Sequence, residues 1–296
     1  MKKKLPITIL VYLFSGFLYA YSTHTFTTDT QFNSFVRNGV DVAGTGESAV
    51  LRLYNKWQSI SVDNPPAERY SSAFDSYLSS AILHGGTTGS ASGLTDLQIY
   101  NINNNRWTQR GPSPSPSGRY GHKIVSIGAG RFLMFGGQKS VDEYFGDTWI
   151  YDLNANIWTS TNSPSPPSRA FFGMAYSSTT NKVYLFGGSS ATTYYNDLWM
   201  YNVGADSWSY ITTLTSPTAR HYCGFTYNSK NNLFYLFGGR DNNNNLNDLW
   251  VYSPSLNEWK KLTESIPTPR YGMGFDYLPS IDSIFLFGGN TGGTGG

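Results

Sequence analysis

The sequence predicts an all-β protein assembled from about five copies of one four-stranded unit, and three markers predict it. Gly-Gly pairs begin at residues 85, 136, 187, 238 and 288, spaced by 51, 51, 51 and 50 residues. Trp57, Trp107, Trp158, Trp208 and Trp259 keep spacings of 50, 51, 50 and 51. Arg69, Arg119, Arg169, Arg220 and Arg270 keep 50, 50, 51 and 50. Three unrelated residue types that hold one period mark a repeat architecture. Composition agrees: 16% aromatic and 14% charged residues, with 31 glycines in 296, suit short strands and tight turns and exclude a disordered chain.

Each repeat divides into four strands in order. A Pro/Ser-rich loop and the arginine precede the first, as in RYGHKIVSIG. The second is almost wholly apolar and runs into the glycines: AILHGG, FLMFGG, VYLFGG, FYLFGG and IFLFGG. Such a strand lacks the alternation of a half-exposed one, so both its faces are expected to be covered. A polar loop leads to the third strand, DTWIYDL, DLWMYNV or DLWVYSP, and a short turn leads to a fourth that begins at Trp. A sheet with two apolar faces is stable only between neighbours, and radial stacking provides them while leaving short edges. Gly-Gly lets the chain leave the packed strand with φ values that other residues resist. The tryptophans are expected to fill the gap between blades.

Residues 57–289 resemble the kelch family, whose repeat carries Arg, Gly-Gly, an Asp-x-x-x-Tyr segment and Trp. Here Arg119, Gly136-Gly137, Asp147 with Tyr151, and Trp158 stand in that order. The first repeat departs from it, with Gln98 where the others have Trp149, Trp199 and Trp250. The resemblance implies a kelch-type β-propeller over residues 51–289, with one blade shared between the termini. The last repeat stops after Gly288-Gly289, and VLRLYNKWQSI near residues 51–60 would supply its missing strands, although Tyr54 precedes Trp57 by three residues where other repeats show seven.

The termini read separately. Residues 1–20, MKKKLPITILVYLFSGFLYA, have the basic, apolar, small-residue order of a secretory signal peptide. Export to an extracellular, periplasmic or cell-surface location is therefore expected, with no membrane span after cleavage. Residues 21–50 are an irregular lead-in and 290–296 a glycine-rich tail. Without the three leading lysines, 18 basic residues face 19 acidic ones, a balance of −1 that offers no surplus for nucleic acid. The single cysteine, Cys223, leaves stability to packing.

Arg69, Arg119, Arg169, Arg220 and Arg270 are the candidate ligand-binding residues. Placed at the starts of the first strands, they are expected to ring one mouth of the channel, where they would hold a carboxylate or an acidic peptide. The competing reading pairs them with Asp96, Asp147, Asp197 and Asp248, which recur 27 or 28 residues later; Arg270 has no such aspartate. Galactose oxidase carries copper on a kelch propeller through two histidines, two tyrosines and a cysteine, but His24, His84, His122 and His221 occupy different repeat positions. Specifier proteins of this family bind iron through Glu-x-x-x-Asp-x-x-x-His; Glu143 and Asp147 match its start and Tyr151 replaces the histidine. No catalytic residue, metal or cofactor is assigned. The expectation is a monomeric binding module for a protein, peptide or glycan. An enzyme acting on sugars, resembling the sialic-acid mutarotase of this family, is the alternative. The loops QKSVDEYFGD, SSATTYYND and RDNNNNLND vary on a constant frame, as recognition loops do.

Overall fold

A computed structural model describes residues 62–89, 92–161, 164–262 and 267–292. These form a β-propeller of antiparallel sheets. The first blade is β1 (Ala73–Tyr77), β2 (Ser80–His84), β3 (Leu97–Asn101) and β4 (Arg106–Arg110). The second is β5 (Lys123–Ser126), β6 (Arg131–Phe135), β7 (Thr148–Asp152) and β8 (Ile157–Thr161). The third is β9 (Gly173–Ser177), β10 (Lys182–Phe186), β11 (Leu198–Asn202) and β12 (Ser207–Ile211). The fourth is β13 (Gly224–Asn228), β14 (Leu233–Arg240), β15 (Asn245–Ser253) and β16 (Glu258–Leu262). In each, strands pair in chain order. The blade count differs from the expected five: β17 (Gly274–Leu278) and β18 (Ser283–Phe287) form a two-stranded sheet beside four complete blades. Residues 51–60, expected to complete that fifth blade, lie outside the described residues, as do residues 1–50.

The strand order sets a burial gradient. The second strands are covered on both faces: the last four residues of β2, β6 and β10 are all buried. The fourth strands bury chiefly their tryptophan. Tight turns close the hairpins between third and fourth strands, and a tyrosine clips each of these four. Tyr100, Tyr151 and Tyr252 donate their hydroxyls to Asn105, Asn156 and Asn257, and Tyr201 to Asp206. All four acceptors have left-handed φ of 49–56°, a region Asn and Asp tolerate better than other side chains.

Three fourth-strand tryptophans reach the preceding blade. The ring of Trp158 lies 5.4 Å from His84, that of Trp208 5.3 Å from Phe135, and that of Trp259 5.1 Å from Phe186. All three partners end a second strand, so the expected packing between blades is observed. Main-chain bonds stitch the blades as well. The second glycine of the first four pairs donates to the carbonyl of the next repeat's arginine: Gly86 to Arg119, Gly137 to Arg169, Gly188 to Arg220 and Gly239 to Arg270, at 2.8–2.9 Å.

Candidate functional site

The arginines begin the inner strands, and four form a clasp inside their own blade. Arg119 donates Nη1 and Nη2 to the two carboxylate oxygens of Asp147 at 2.6 and 2.8 Å. It also donates Nη1 to the Gly136 carbonyl and Nε to the Ser117 carbonyl, at 2.9 and 3.0 Å. Arg169 repeats this with Asp197 and Gly187, and Arg220 with Asp248 and Gly238. Arg69 bonds Asp96 and Gly85 through Nη1. Phe145 and Tyr195 lie under the guanidinium groups of Arg119 and Arg169, with ring centres 4.0 and 3.8 Å away. The aspartates are held in turn by indole N–H donors at 2.7 Å from Trp149, Trp199 and Trp250. Burial acts to raise the carboxyl groups of Asp96, Asp147 and Asp248, but the bonds and charge of their arginines outweigh it and hold all three below the usual range.

Above the clasp, the residue after each arginine pairs with the residue after the glycines: Tyr70 with Thr87, Tyr120 with Gln138, Ala170 with Ser189, His221 with Arg240, Tyr271 with Asn290. One residue further, the backbone runs round the mouth in a chain of hydrogen bonds. Gly121 donates to the Ser71 carbonyl, Phe171 to Gly121, Tyr222 to Phe171 and Gly272 to Tyr222, at 2.7–2.9 Å. All five of these residues have left-handed φ, including 59° at Phe171 and 53° at Tyr222. Bulky side chains rarely take that conformation, and it is retained where surrounding structure over-determines it. The Phe171 and Tyr222 rings stack with centres 4.1 Å apart, and Tyr120, Tyr271, His221 and Tyr194 extend the aromatic surface. Tyr70 and Tyr194 are exposed.

The inner strands enclose a central cavity of about 350 Å³ below this mouth. Asp75, Lys123, Thr226 and Asp276 line it, among apolar neighbours such as Met174 and Phe225. Asp75 accepts the backbone N–H of Ser76 at 2.7 Å and of Ser126 at 2.5 Å. Asp276 accepts the Thr226 hydroxyl and its neighbour's N–H, both at 2.8 Å. Burial pushes Asp75 up to about 6, and the charge of Asp276 adds to it. Burial raises Asp276 and lowers Lys123.

The family model described as the KLHDC2/KLHL20/DRC7 Kelch-repeats domain matches residues 79–289. The chain belongs to the kelch-repeat family. It is 32% identical over 200 residues to Tip elongation aberrant protein 1 of Schizosaccharomyces pombe, covering 63% of this chain and 17% of that protein. It is 34% identical over 143 residues to Kelch repeat-containing protein 2 of Saccharomyces cerevisiae, covering 42% and 16%. Kelch domain-containing protein 10 of Homo sapiens is 26% identical over 233 residues, covering 72% and 52%. The chain thus spans between about a sixth and about half of the length of these relatives.

This kelch propeller places the sequence-derived candidates as follows. Arg119, Arg169 and Arg220 are fully buried and Arg69 nearly so, each paired as the recurring aspartates suggest. Arg270 keeps part of its surface; it bonds Thr268 and the Gly288 carbonyl and has no acidic partner among the described residues. Cys223 is a small buried side chain whose thiol burial pushes up to about 11. The histidines hold a surprise for repeat-based reading: His84 and His122, at different repeat positions, meet across the first blade interface with Nδ1 and Nε2 3.0 Å apart. His221 instead approaches Ser189, and His24 lies outside the described residues. Among the described residues no three His, Cys, Asp or Glu side chains converge as a metal site would require, and no helix is long and apolar enough to cross a membrane. The aromatic mouth and the charged cavity were missed from sequence. The repeated Arg-Tyr at residues 69, 119 and 270 was the available signal for the mouth.

Proposed function

We propose that this protein is an interaction module that receives a partner protein on the aromatic mouth of the propeller. The observation that carries this is the mouth itself. Phe171 and Tyr222 are held in left-handed φ by the backbone chain that rings the channel, with exposed tyrosines around them. Strain maintained at a surface rather than relieved there is a mark of function, and clustered aromatic side chains are the usual anchors of protein interfaces. Of the five arginines, Arg270 is the one we propose to meet the ligand, because part of its surface remains accessible and no aspartate occupies it among the described residues. The test is partner binding by surface variants. Tyr70→Ala and Tyr271→Ala are expected to weaken it at least about tenfold with unchanged melting. Leu78→Ser and Leu256→Ser, exposed in hairpin turns at the opposite end of the sheets, are expected to leave it intact. Equal losses from both pairs would overturn the assignment.

Export remains part of this reading. The basic and apolar order of residues 1–20 supports it, and the mature chain is expected to begin near residues 21–23. An intact Met1 on protein recovered from membranes would mean that the segment is retained.

A further inference from the structure

The cavity beneath the mouth carries charges that the propeller does not need. Counted from the repeat arginine, Asp75 and Asp276 occupy the same position as Val125, Ala175 and Thr226, and Lys123 the same position as Ala73, Gly173, Gly224 and Gly274. Small neutral residues satisfy the fold there in the other blades. In the first and fifth units that position has instead gained a carboxylate, and each carboxylate is fixed. Asp75 is held by two backbone N–H groups, and Asp276 by one backbone N–H and the Thr226 hydroxyl. Lys123 is the one basic residue among the described residues of the lining, yet it forms no ion pair with either acid. Two carboxylates against one ammonium leave an excess negative charge in a confined space, which is costly unless a cation meets it.

We propose that the central cavity binds a primary ammonium group on a short apolar chain, held by Asp75 and Asp276. Three N–H donors match the lone pairs left free on the carboxylate oxygens, while Met174 and Phe225 receive the chain; the Thr226 hydroxyl is engaged by Asp276 and the Tyr277 N–H. A divalent metal is disfavoured by the same geometry, since hard cations demand six or more oxygens and two carboxylates already engaged by donors do not supply them. Lys123 is the discriminating residue. It repels such a ligand, so its removal strengthens binding, whereas it would anchor an anion. The site goes beyond partner docking at the mouth, and a failure here leaves that reading standing.

The experiment titrates the full chain with propylammonium or with propionate at constant ionic strength, following the carboxyl carbon resonances of Asp75 and Asp276. Propylammonium is expected to shift both and propionate neither. Asp276→Asn is expected to weaken binding about tenfold, and Lys123→Met to tighten it by a similar factor. Should Asp276→Asn fail to fold, the resonances of the parent and the Lys123→Met comparison carry the test. A blocked Gly-Lys-Gly peptide run alongside distinguishes sources: a response to it as strong as to propylammonium identifies a partner's lysine, and a response to propylammonium alone a free amine. Propionate binding that is lost in Lys123→Met, or no shift of either carboxyl carbon, overturns the proposal.

Discussion

Gln98 breaks the tryptophan pattern yet preserves its chemistry. Its side-chain amide donates to Asp96 Oδ2 at 3.0 Å, as the Trp149, Trp199 and Trp250 indoles do to their aspartates. What the repeat requires at that position is an N–H aimed at the carboxylate, because each aspartate must be fully engaged to offset a guanidinium removed from water. The cost of losing the guanidinium follows from burial. Arg119→Ala, Arg169→Ala or Arg220→Ala leaves a partly covered aspartate unpaired and two carbonyl groups short of a donor, so each is expected to lose about 2–4 kcal/mol in a urea melt. Arg270→Ala, with an accessible side chain and no described aspartate, is expected to lose about 1 kcal/mol or less. Arg270→Ala as the most destabilising of the set would show that its environment had been misjudged.

At the scale of the strand and its neighbour, corresponding interfaces are filled by different chemistry. The residue that ends the second strand meets the third residue after the next repeat's arginine: Phe135 meets Phe172 with ring centres 5.5 Å apart, and His84 meets His122 at 5.1 Å. The histidine pair is buried, and one ring nitrogen of each lacks a hydrogen-bond partner. Burial, with the charge of Arg119 next, lowers His84 to about 3; burial, with the neighbouring His84 next, takes His122 well below its usual value. An unfolded chain takes up these protons near pH 6.5 while the native pair refuses them. Stability from the pair is therefore complete above pH 6.5 and declines as pH falls toward 3, at up to about 1.4 kcal/mol per pH unit for each histidine. Asp75, raised to about 6 by burial, acts in the opposite sense over about pH 4–6, and Asp276, also raised by burial, acts in the same direction as Asp75. The clean measurement is consequently a difference. His84→Phe/His122→Phe, which copies the next interface, is expected to gain on the parent steadily as pH drops from 6.5 to 4. Parallel pH profiles would mean that the pair titrates normally in the native state.

Over the whole molecule, the described blades meet at a series of equivalent junctions, and the fifth unit differs at its glycine pair. A Cβ at Gly136 would stand 2.7 Å from the Arg169 carbonyl oxygen, and Gly85, Gly187 and Gly238 are equally crowded by the next repeat's arginine. Gly288 has the same left-handed φ but meets nothing within 4 Å among the described residues. Gly136→Ala is expected to cost about 3 kcal/mol or more, since backbone strain is joined by displacement of the neighbouring blade. Gly288→Ala is expected to cost only the left-handed conformation, about 1–2 kcal/mol. Thermal melts of the two variants check this, and an equal loss would show that the fifth unit is enclosed as the others are.

The repeat and much of its internal chemistry are legible in the order of residues alone. Period and apolar runs specify which strands are covered on both faces, and the fixed offset of 27 or 28 residues from Arg to Asp specifies the clasp, because the partners lie in one blade and recur together. The tryptophans between blades were legible for the same reason: every copy needs them. What a single repeat could not reveal arises where copies differ or where separate blades converge. Asp75, Lys123 and Asp276 are departures from the repeat on three different blades, so their meeting depends on ring geometry rather than on local pattern. His84 and His122 likewise occupy unlike positions that only the stacking of one blade on the next brings to 3.0 Å. The mouth also needed the tertiary structure, because the left-handed φ of Phe171 and Tyr222 is imposed by hydrogen bonds between blades against the preference of the residues themselves. Local spacing fixes contacts within a blade; only the arrangement of the blades about the axis decides which side chains face one another across the channel.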